Sequence, residues 1–338
     1  MWPPAQSMWP PAGAQPLCSG SAAGEPVTVV LTAFLTAAPN VHIGSFGNSG
    51  HGGVRAALTA FLQRSPGLCP SNLHVVHDST LVADTQLFNV SLHRFAPNLT
   101  VLGNDVRWDL FAHVLRRIAW DCAFAVDLTD ISVLCLPTCH PGRGLIVGSD
   151  DCSLGTARWL HRVAGRFDAK TNGTISTTND GVGASLWRFS HNKSAMVSNC
   201  GIVGGHRSVL EPALDKMVAQ LHTHWDESRQ TRLLPGADMV LWNWAVHMRL
   251  ASGLPVVTGY PIGPVNLPMH GRLAEPGKTS TCHILHEDER QAGHKCVERC
   301  RNEWANRTMG HYWFGHKLQS WWRRMLEAGL RRPTCTNV

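Results

Sequence analysis

The chain lacks the two glycine-rich fingerprints that most directly identify a nucleotide-phosphate site. The glycine-rich segment at residues 198–205 does not have the GxGxxG spacing, and the chain contains no GxxxxGK[ST]. Because those spacings let the backbone cradle a diphosphate or triphosphate, their absence argues against a dinucleotide-binding protein and against a P-loop NTPase. We predict a glycine-rich turn that opens a helix from His206.

An apolar run of bilayer length is also missing near the start. Residues 27–38 are interrupted by Thr28, Thr32 and Thr36, and a spanning helix needs about 20 apolar residues. We interpret this stretch as a first core strand. Residues 1–25 contain a repeated Met-Trp-Pro-Pro-Ala segment and lack the basic and apolar regions of a signal peptide, so we expect a disordered Pro-rich tail.

Clustered basic residues are scarce although the net charge is +6. The one dense group is Arg323, Arg324, Arg331 and Arg332, which reads as a solvated helix face. A nucleic-acid-binding protein would need a basic stripe with interleaved aromatic residues. That function is disfavoured, and we expect no nucleic-acid partner.

Cysteine is abundant, with 11 residues in 338, which favours disulfides in an oxidising compartment. Asn-x-Ser/Thr triplets point the same way and begin at Asn89, Asn98, Asn172, Asn192 and Asn306. We therefore expect the Golgi or another secretory-pathway lumen. The cluster His283, His286, His294, Cys296 and Cys300 offers a structural zinc site as the alternative to disulfides.

Alternating strand and helix patterns indicate an α/β fold. Strands are predicted at 27–31, 73–77 and 122–126, and helices at 53–64, from 104 or 105, from 206 and from 238. The apolar run at 122–126 ends at Asp127 and Asp130. Because ligands bind at the carboxyl ends of such strands, the two acids could hold a divalent cation and through it a diphosphate; a surface turn with two solvated acids is the alternative.

The order of motifs resembles the GT-A fold of nucleotide-sugar-dependent glycosyltransferases. The resemblance rests on Asn104-Asp105-Val106-Arg107, on Asp127-Leu128-Thr129-Asp130-Ile131, on the segment from Asn199 through Gly201 to Gly205, and on Asp238-Met239 with Asn243. The acids are spaced DxxD, whereas DxD is commoner in this class. The resemblance implies a GT-A-like, Rossmann-type mixed central sheet flanked by helices over residues 26–290, with a Cys/His/Trp-rich extension at 291–338.

The resemblance also implies a metal site for Mn²⁺ or Mg²⁺. Asp130 would bind the ion directly, Asp127 would bind the ribose or reach the ion through water, and His286 would complete the shell. His270 and His316 are alternatives to His286, which could equally be a surface histidine. The cation would neutralise the diphosphate as it leaves.

The remaining site residues follow from the same resemblance. Thr32 and Arg107 would contact the nucleotide, although Thr32 could be packed in its strand and Arg107 could be an exposed helix residue. Asp238 would hold an acceptor hydroxyl and could act as the catalytic base, unless it is only a favourable first-turn acid. The donor sugar or acceptor would lie against Asn199, Gly201, Gly204, Gly205 and Asn243.

Two functions remain at this stage. The first is a metal-dependent glycosyltransferase whose partners are a nucleotide-sugar donor and a glycan or glycoprotein acceptor. The second is a non-catalytic module on the same fold that binds carbohydrate or nucleotide. We expect no membrane span within this chain.

Overall fold

The computed structural model describes the core of the chain and short pieces of its C-terminal part. The described residues are 26–35, 53–65, 67–78, 88–95, 103–129, 131–133, 136, 139–154, 157, 160–164, 196–224, 237–257, 283–284, 298–299 and 314–316. The predicted tail at 1–25, the acid Asp130 and His286 lie outside them. Each of these predictions therefore stays a prediction.

Seven strands form one mixed sheet in the spatial order β3-β2-β1-β4-β7-β6-β8. They are β1 Thr28–Phe34, β2 Leu73–His77, β3 Ser91–Arg94, β4 Cys122–Val126, β6 Leu145–Ser153, β7 Met196–His206 and β8 Val256–Val257. The strands β1 to β4 run parallel, whereas β7 is antiparallel to both of its neighbours. Buried on both faces, β4 is the continuous apolar run that a central parallel strand requires.

The longer helices in the described part of the chain flank this sheet and are α1 Gly53–Arg64, α2 Gly103–Leu115, α3 Arg207–His224 and α4 Ala237–Ala251. Alternate strand residues divide the core into two layers, because successive side chains point to opposite faces. Leu31 and Ala123 pack with α2, α3 and α4, whereas Val30 and Phe124 pack with α1. The predicted α/β class, with a mixed sheet between helices, is confirmed.

Two small strand pairs involve the C-terminal part. The strand β5 Ile131–Val133 pairs with β11 Phe314–His316, and β9 His283–Ile284 pairs with β10 Glu298–Arg299. Segments from the predicted extension thus pair with segments that precede residue 291. The predicted solvated helix face at Arg323, Arg324, Arg331 and Arg332 lies outside the described residues.

The predicted glycine-rich turn at residues 198–205 is wrong, since this segment lies within β7. Gly204 stands opposite Phe124 in the sheet. A Cβ on Gly204 would collide with the Phe124 ring and would lie 2.7 Å from the carbonyl oxygen of Ala123. Glycine at position 204 permits close packing between β4 and β7, and such close approach is a common reason for glycine within a strand.

A disulfide joins Cys122 in β4 to Cys139, with a Cα–Cα distance of 5.9 Å. It encloses the chain segment that carries Asp127. Cys69 is also disulfide-bonded, while Cys200 keeps a free, buried thiol. The expected use of cysteine in disulfides is thus present in the structure. No helix in the described parts of the chain has both the length and the hydropathy that a bilayer crossing requires.

Candidate functional site

A buried group of charged side chains lies at the carboxyl end of β4. Asp127 directly follows this strand, and its backbone N–H donates to the carbonyl of Gly201 in β7 at 3.1 Å. The first turns of two helices meet the same edge of the sheet, so that α2 supplies Asp105 and Arg107 while α4 supplies Asp238. We call Asp105, Arg107, Asp127, Cys200 and Asp238 the acidic cluster.

Arg107 connects the members of the acidic cluster. Its guanidinium donates to Asp127 Oδ1 and, at 3.3 Å, to Asp238 Oδ2. It also stands 4.9 Å from the centre of the Trp108 ring. Burial opposes the charge of Arg107, but Asp127, Cys200 and Asp238 together outweigh burial and raise its pKa. Arg107 is therefore a permanent cation between two carboxylates, and the alternative of an exposed helix arginine does not describe it.

Asp105 holds the start of α4 in place. Its Oδ1 accepts the backbone N–H of Asp238 at 3.0 Å, and its Oδ2 has no hydrogen-bond partner among the described residues. Burial, followed by the nearby negative charge of Asp238, raises the pKa of Asp105 well above its ordinary value. This side chain is thus favoured in its neutral, protonated form.

Cys200 completes the cluster from β7. Its thiol donates to Asp238 Oδ2 at 3.2 Å and lies 3.1 Å from the sulfur of Met239. Burial raises the pKa of Cys200 well above its ordinary value, and the charge of Asp238 adds to that effect. A thiol that resists ionisation is a poor nucleophile. Cys200 therefore acts here as a small, hydrogen-bonded packing residue.

The charges of the cluster do not balance. Arg107 supplies one positive charge against the carboxylates of Asp127 and Asp238, which leaves an excess of negative charge whether or not Asp105 carries a proton. Asp238 is buried, whereas the side chain of Asp127 is 30% exposed. The excess negative charge therefore meets solvent at Asp127, where it would attract a cation.

Two predicted ligand contacts are used within the protein. Thr32 is fully buried, and its hydroxyl donates to the carbonyl of Val126 at 2.9 Å. Asn243 donates to the carbonyls of Ser198 and Met239 and accepts the Ser198 N–H, each at 2.8 Å. These side chains join β1 to β4 and β7 to α4, so both support the walls of the site from inside.

The predicted glycine and asparagine contacts fall into two groups along β7. Asn199 Oδ1 accepts the N–H of Gly201 at 2.7 Å, and Gly201 adjoins Asp127. Gly204 and Gly205 pair with Phe124 and Ala123, toward the opposite end of β4. At about 3.3 Å per residue, Gly204 lies roughly 10 Å along the strand from Gly201. The structure thus brings Asn199 and Gly201 to the acidic cluster and keeps Gly204 and Gly205 away from it.

A complete metal shell is not formed by the described residues alone. Within them, no group of three or more His, Cys, Asp or Glu side chains is arranged to hold a metal ion. Two of the three predicted ligands, Asp130 and His286, lie outside the described part of the chain. Asp127 is the predicted ligand that the structure describes, and its partly exposed carboxylate suits an oxygen-preferring cation.

Sequence reasoning did not identify Asp105 and Cys200 as members of the cluster. Asp105 belongs to the motif at residues 104–107 but has no predicted role, and Cys200 stands between two predicted ligand residues. Comparison with protein-family models finds no match to this chain, and comparison with curated proteins finds no significant match. The interpretation of the site therefore rests on its geometry and on the motifs described above.

Proposed function

We propose that this protein is a metal-dependent glycosyltransferase of the GT-A type, acting in the secretory pathway on a glycan or glycoprotein. The observation that carries the proposal is the partly exposed carboxylate of Asp127, which lies where a central strand of a mixed sheet ends. Such an edge is where α/β sheets bind ligands. Hard divalent cations combine carboxylates with the phosphate oxygens of a substrate.

The proposed site assigns different tasks to the cluster residues. Asp127 and Asp130, with His286, would hold Mn²⁺ or Mg²⁺, which when bound neutralises the departing diphosphate. Arg107 supplies a fixed positive charge beside Asp127 and orients that carboxylate. Preorganised charges of this kind stabilise a leaving group without reorganisation at the moment of reaction.

Asp238 is the more deeply buried of the two carboxylates that bind Arg107. Its Oδ2 accepts hydrogen bonds from both Arg107 and Cys200, and the side chain is 3% exposed. That burial favours a positioning role, in which Asp238 fixes the guanidinium, over direct contact with an acceptor hydroxyl. An Asp238→Asn variant would then lower turnover without altering the pH dependence that a catalytic base imposes.

The test is release of nucleoside diphosphate from a panel of nucleotide sugars in the presence of Mn²⁺. We expect the wild-type protein to release one of them, and we expect Asp130→Ala to abolish the release. Asp215→Asn is the matched control, because Asp215 forms an exposed ion pair with Arg116 on another part of the surface. Equal turnover in Asp130→Ala and in the wild type would contradict the metal-binding role.

A specific observation also favours the non-catalytic alternative. Arg107 already pairs with both Asp127 and Asp238, so the described carboxylates are partly neutralised without a metal. A recognition module could bind a nucleotide or a carbohydrate at this edge with no divalent cation. Binding that survives EDTA, with no release of sugar from any donor, would identify the module.

A further inference from the structure

We infer that Arg64 is a positioning residue that fixes the loop carrying Asp127, an inference that rests on the proposed function for its catalytic meaning. Arg64 is the last residue of α1 and is 9% exposed. Its guanidinium donates from Nε to the carbonyl of Ile131 at 3.0 Å and from Nη2 to the carbonyl of Leu128.

These two carbonyls belong to residues that follow Asp127 closely in the chain. The N–H of Ile131 donates to the carbonyl of Asp127 at 3.1 Å, so the backbone returns toward the residue that follows β4. Leu128 lies within this turn and Ile131 is the first residue of β5, and each buried carbonyl needs a hydrogen-bond donor. Arg64 supplies donors to both from a single planar group, which fixes their relative orientation.

The adjoining residues of the α1 end reinforce the same attachment. Ser65 Oγ accepts the N–H of Val133 at 3.0 Å, and the N–H of Gly67 donates to the carbonyl of Val133 at 3.1 Å. The loop is thus held from α1 on one side. On the other side, the N–H of Asp127 bonds to Gly201 and its carboxylate bonds to Arg107.

This arrangement separates two tasks between two arginines. Arg107 pairs with the Asp127 carboxylate, whereas Arg64 fixes the backbone from which that carboxylate projects. The guanidinium of Arg64 also lies 5.3 Å from the centre of the Phe61 ring, which limits its alternative orientations. Loss of Arg64 would release the turn and misplace Asp127 while the acidic cluster kept all of its own side chains.

The test compares Arg64→Met and Arg64→Lys with the wild type. Binding of UDP, GDP, CDP and ADP in the presence of Mn²⁺ is measured by calorimetry. The nucleotide that binds the wild type is then measured with both Arg64 variants. We expect Arg64→Met to weaken that binding by about tenfold or more, as loss of an outer-shell partner commonly does. Arg64→Lys keeps the charge but loses the planar fork, so we expect an intermediate affinity and a folded protein.

The matched control is Leu221→Ala, which creates a cavity beside α3. This helix packs on the face of the sheet opposite to α1. Both variants are destabilised, but only Arg64→Met should lose affinity for the nucleotide and Mn²⁺. An Arg64→Met protein that folds and binds as the wild type does would overturn the inference. Equal losses of affinity in Arg64→Met and Leu221→Ala would overturn it as well, because they would show a general effect of stability.

A second readout separates this inference from the proposed function. Hydrogen exchange of the peptide spanning residues 127–133 is measured in the wild type and in Arg64→Lys without any ligand. Faster exchange in this peptide alone supports the attachment by Arg64 even if no nucleotide binds the wild type, an outcome that would reject the proposed function only. Unchanged exchange in this peptide overturns the attachment itself.

Discussion

Arg107 and Asp238 stand 131 residues apart in the sequence, and the guanidinium of one donates to the carboxylate of the other at 3.3 Å. The contact joins the first turn of α2 to the first turn of α4. The same guanidinium also donates to Asp127, which follows β4, so Arg107 links both helices to this edge of the sheet. The stability of the fold and the geometry of the proposed site therefore depend on one side chain.

Replacing Arg107 with methionine should destabilise the protein strongly. The substitution leaves Asp238 buried without its cationic partner, and such a loss costs about 3–5 kcal/mol. Arg116→Met is the control, since Arg116 and Asp215 are both about half exposed and such pairs contribute roughly 0–1 kcal/mol. Urea denaturation measures both values. A loss in Arg107→Met no larger than in Arg116→Met would show that Arg107 is not the partner on which Asp238 depends.

Asp105 should make the folded state less stable as the pH rises. Its pKa is raised by folding, so the folded state binds the proton more tightly, and stability is lost as the pH rises from the unfolded pKa toward the folded one. Asp105→Asn keeps an acceptor for the Asp238 N–H without this titration. We expect the variant to gain stability over the wild type with increasing pH, by at most about 1.4 kcal/mol per pH unit.

The experiment is a series of urea denaturation curves between pH 5 and pH 8. Asp109→Asn is the control, because Asp109 is an acid on the same helix whose side chain is 32% exposed. Parallel pH profiles for the wild type and Asp105→Asn would mean that Asp105 ionises in the folded protein as easily as in the unfolded chain.

Gly204→Ala should destabilise the sheet. The added methyl group would meet the Phe124 ring and the backbone of Ala123, and overpacking of this kind costs about 1–3 kcal/mol. Gly142→Ala is the matched control, since a Cβ there meets nothing within 4 Å. Thermal unfolding compares the two. A melting temperature of Gly204→Ala equal to that of Gly142→Ala would contradict the observed pairing of β4 with β7.

Loss of the disulfide between Cys122 and Cys139 should lower stability. The bridge closes a loop of 17 residues, for which the chain-entropy estimate is about 3 kcal/mol. The double variant Cys122→Ala with Cys139→Ala should therefore unfold at lower urea concentration than the oxidised wild type. Peptide mapping without reductant should recover the linked pair, and alkylation of both thiols in the native protein would show that the bridge is absent.

Local patterns were sufficient to predict much of the sheet and its helices. The helix Gly53–Arg64 and the strand Cys122–Val126 agree with expectation because periodicity and apolar continuity depend on neighbouring residues. The prediction of a turn at the glycines of β7 is wrong, because glycine is common both in turns and where two strands pack closely. Only the pairing of Gly204 with Phe124 distinguishes these two uses.

The acidic cluster was only partly predictable for a related reason. Asp127 is expected at a ligand site because it follows a buried strand, whereas Arg107 and Asp238 are expected there only from the resemblance in the order of motifs. Asp105 is not expected there, because its partner is the backbone N–H of a residue 133 positions away. Its raised pKa likewise results from burial, which arises only when α2 and α4 pack together.

The proposed function requires that Asp127 lies at a site for a nucleoside diphosphate with a divalent cation. The most direct measurement is the melting temperature of the wild type and of Asp127→Asn with nucleoside diphosphates, with Mn²⁺, and with both. We predict that one nucleotide with Mn²⁺ raises the wild-type value, since a ligand at a hundredfold excess over its Kd adds about 2.7 kcal/mol, and that Asp127→Asn loses this rise. No rise with any nucleotide, or an equal rise in Asp127→Asn, would contradict the proposed function.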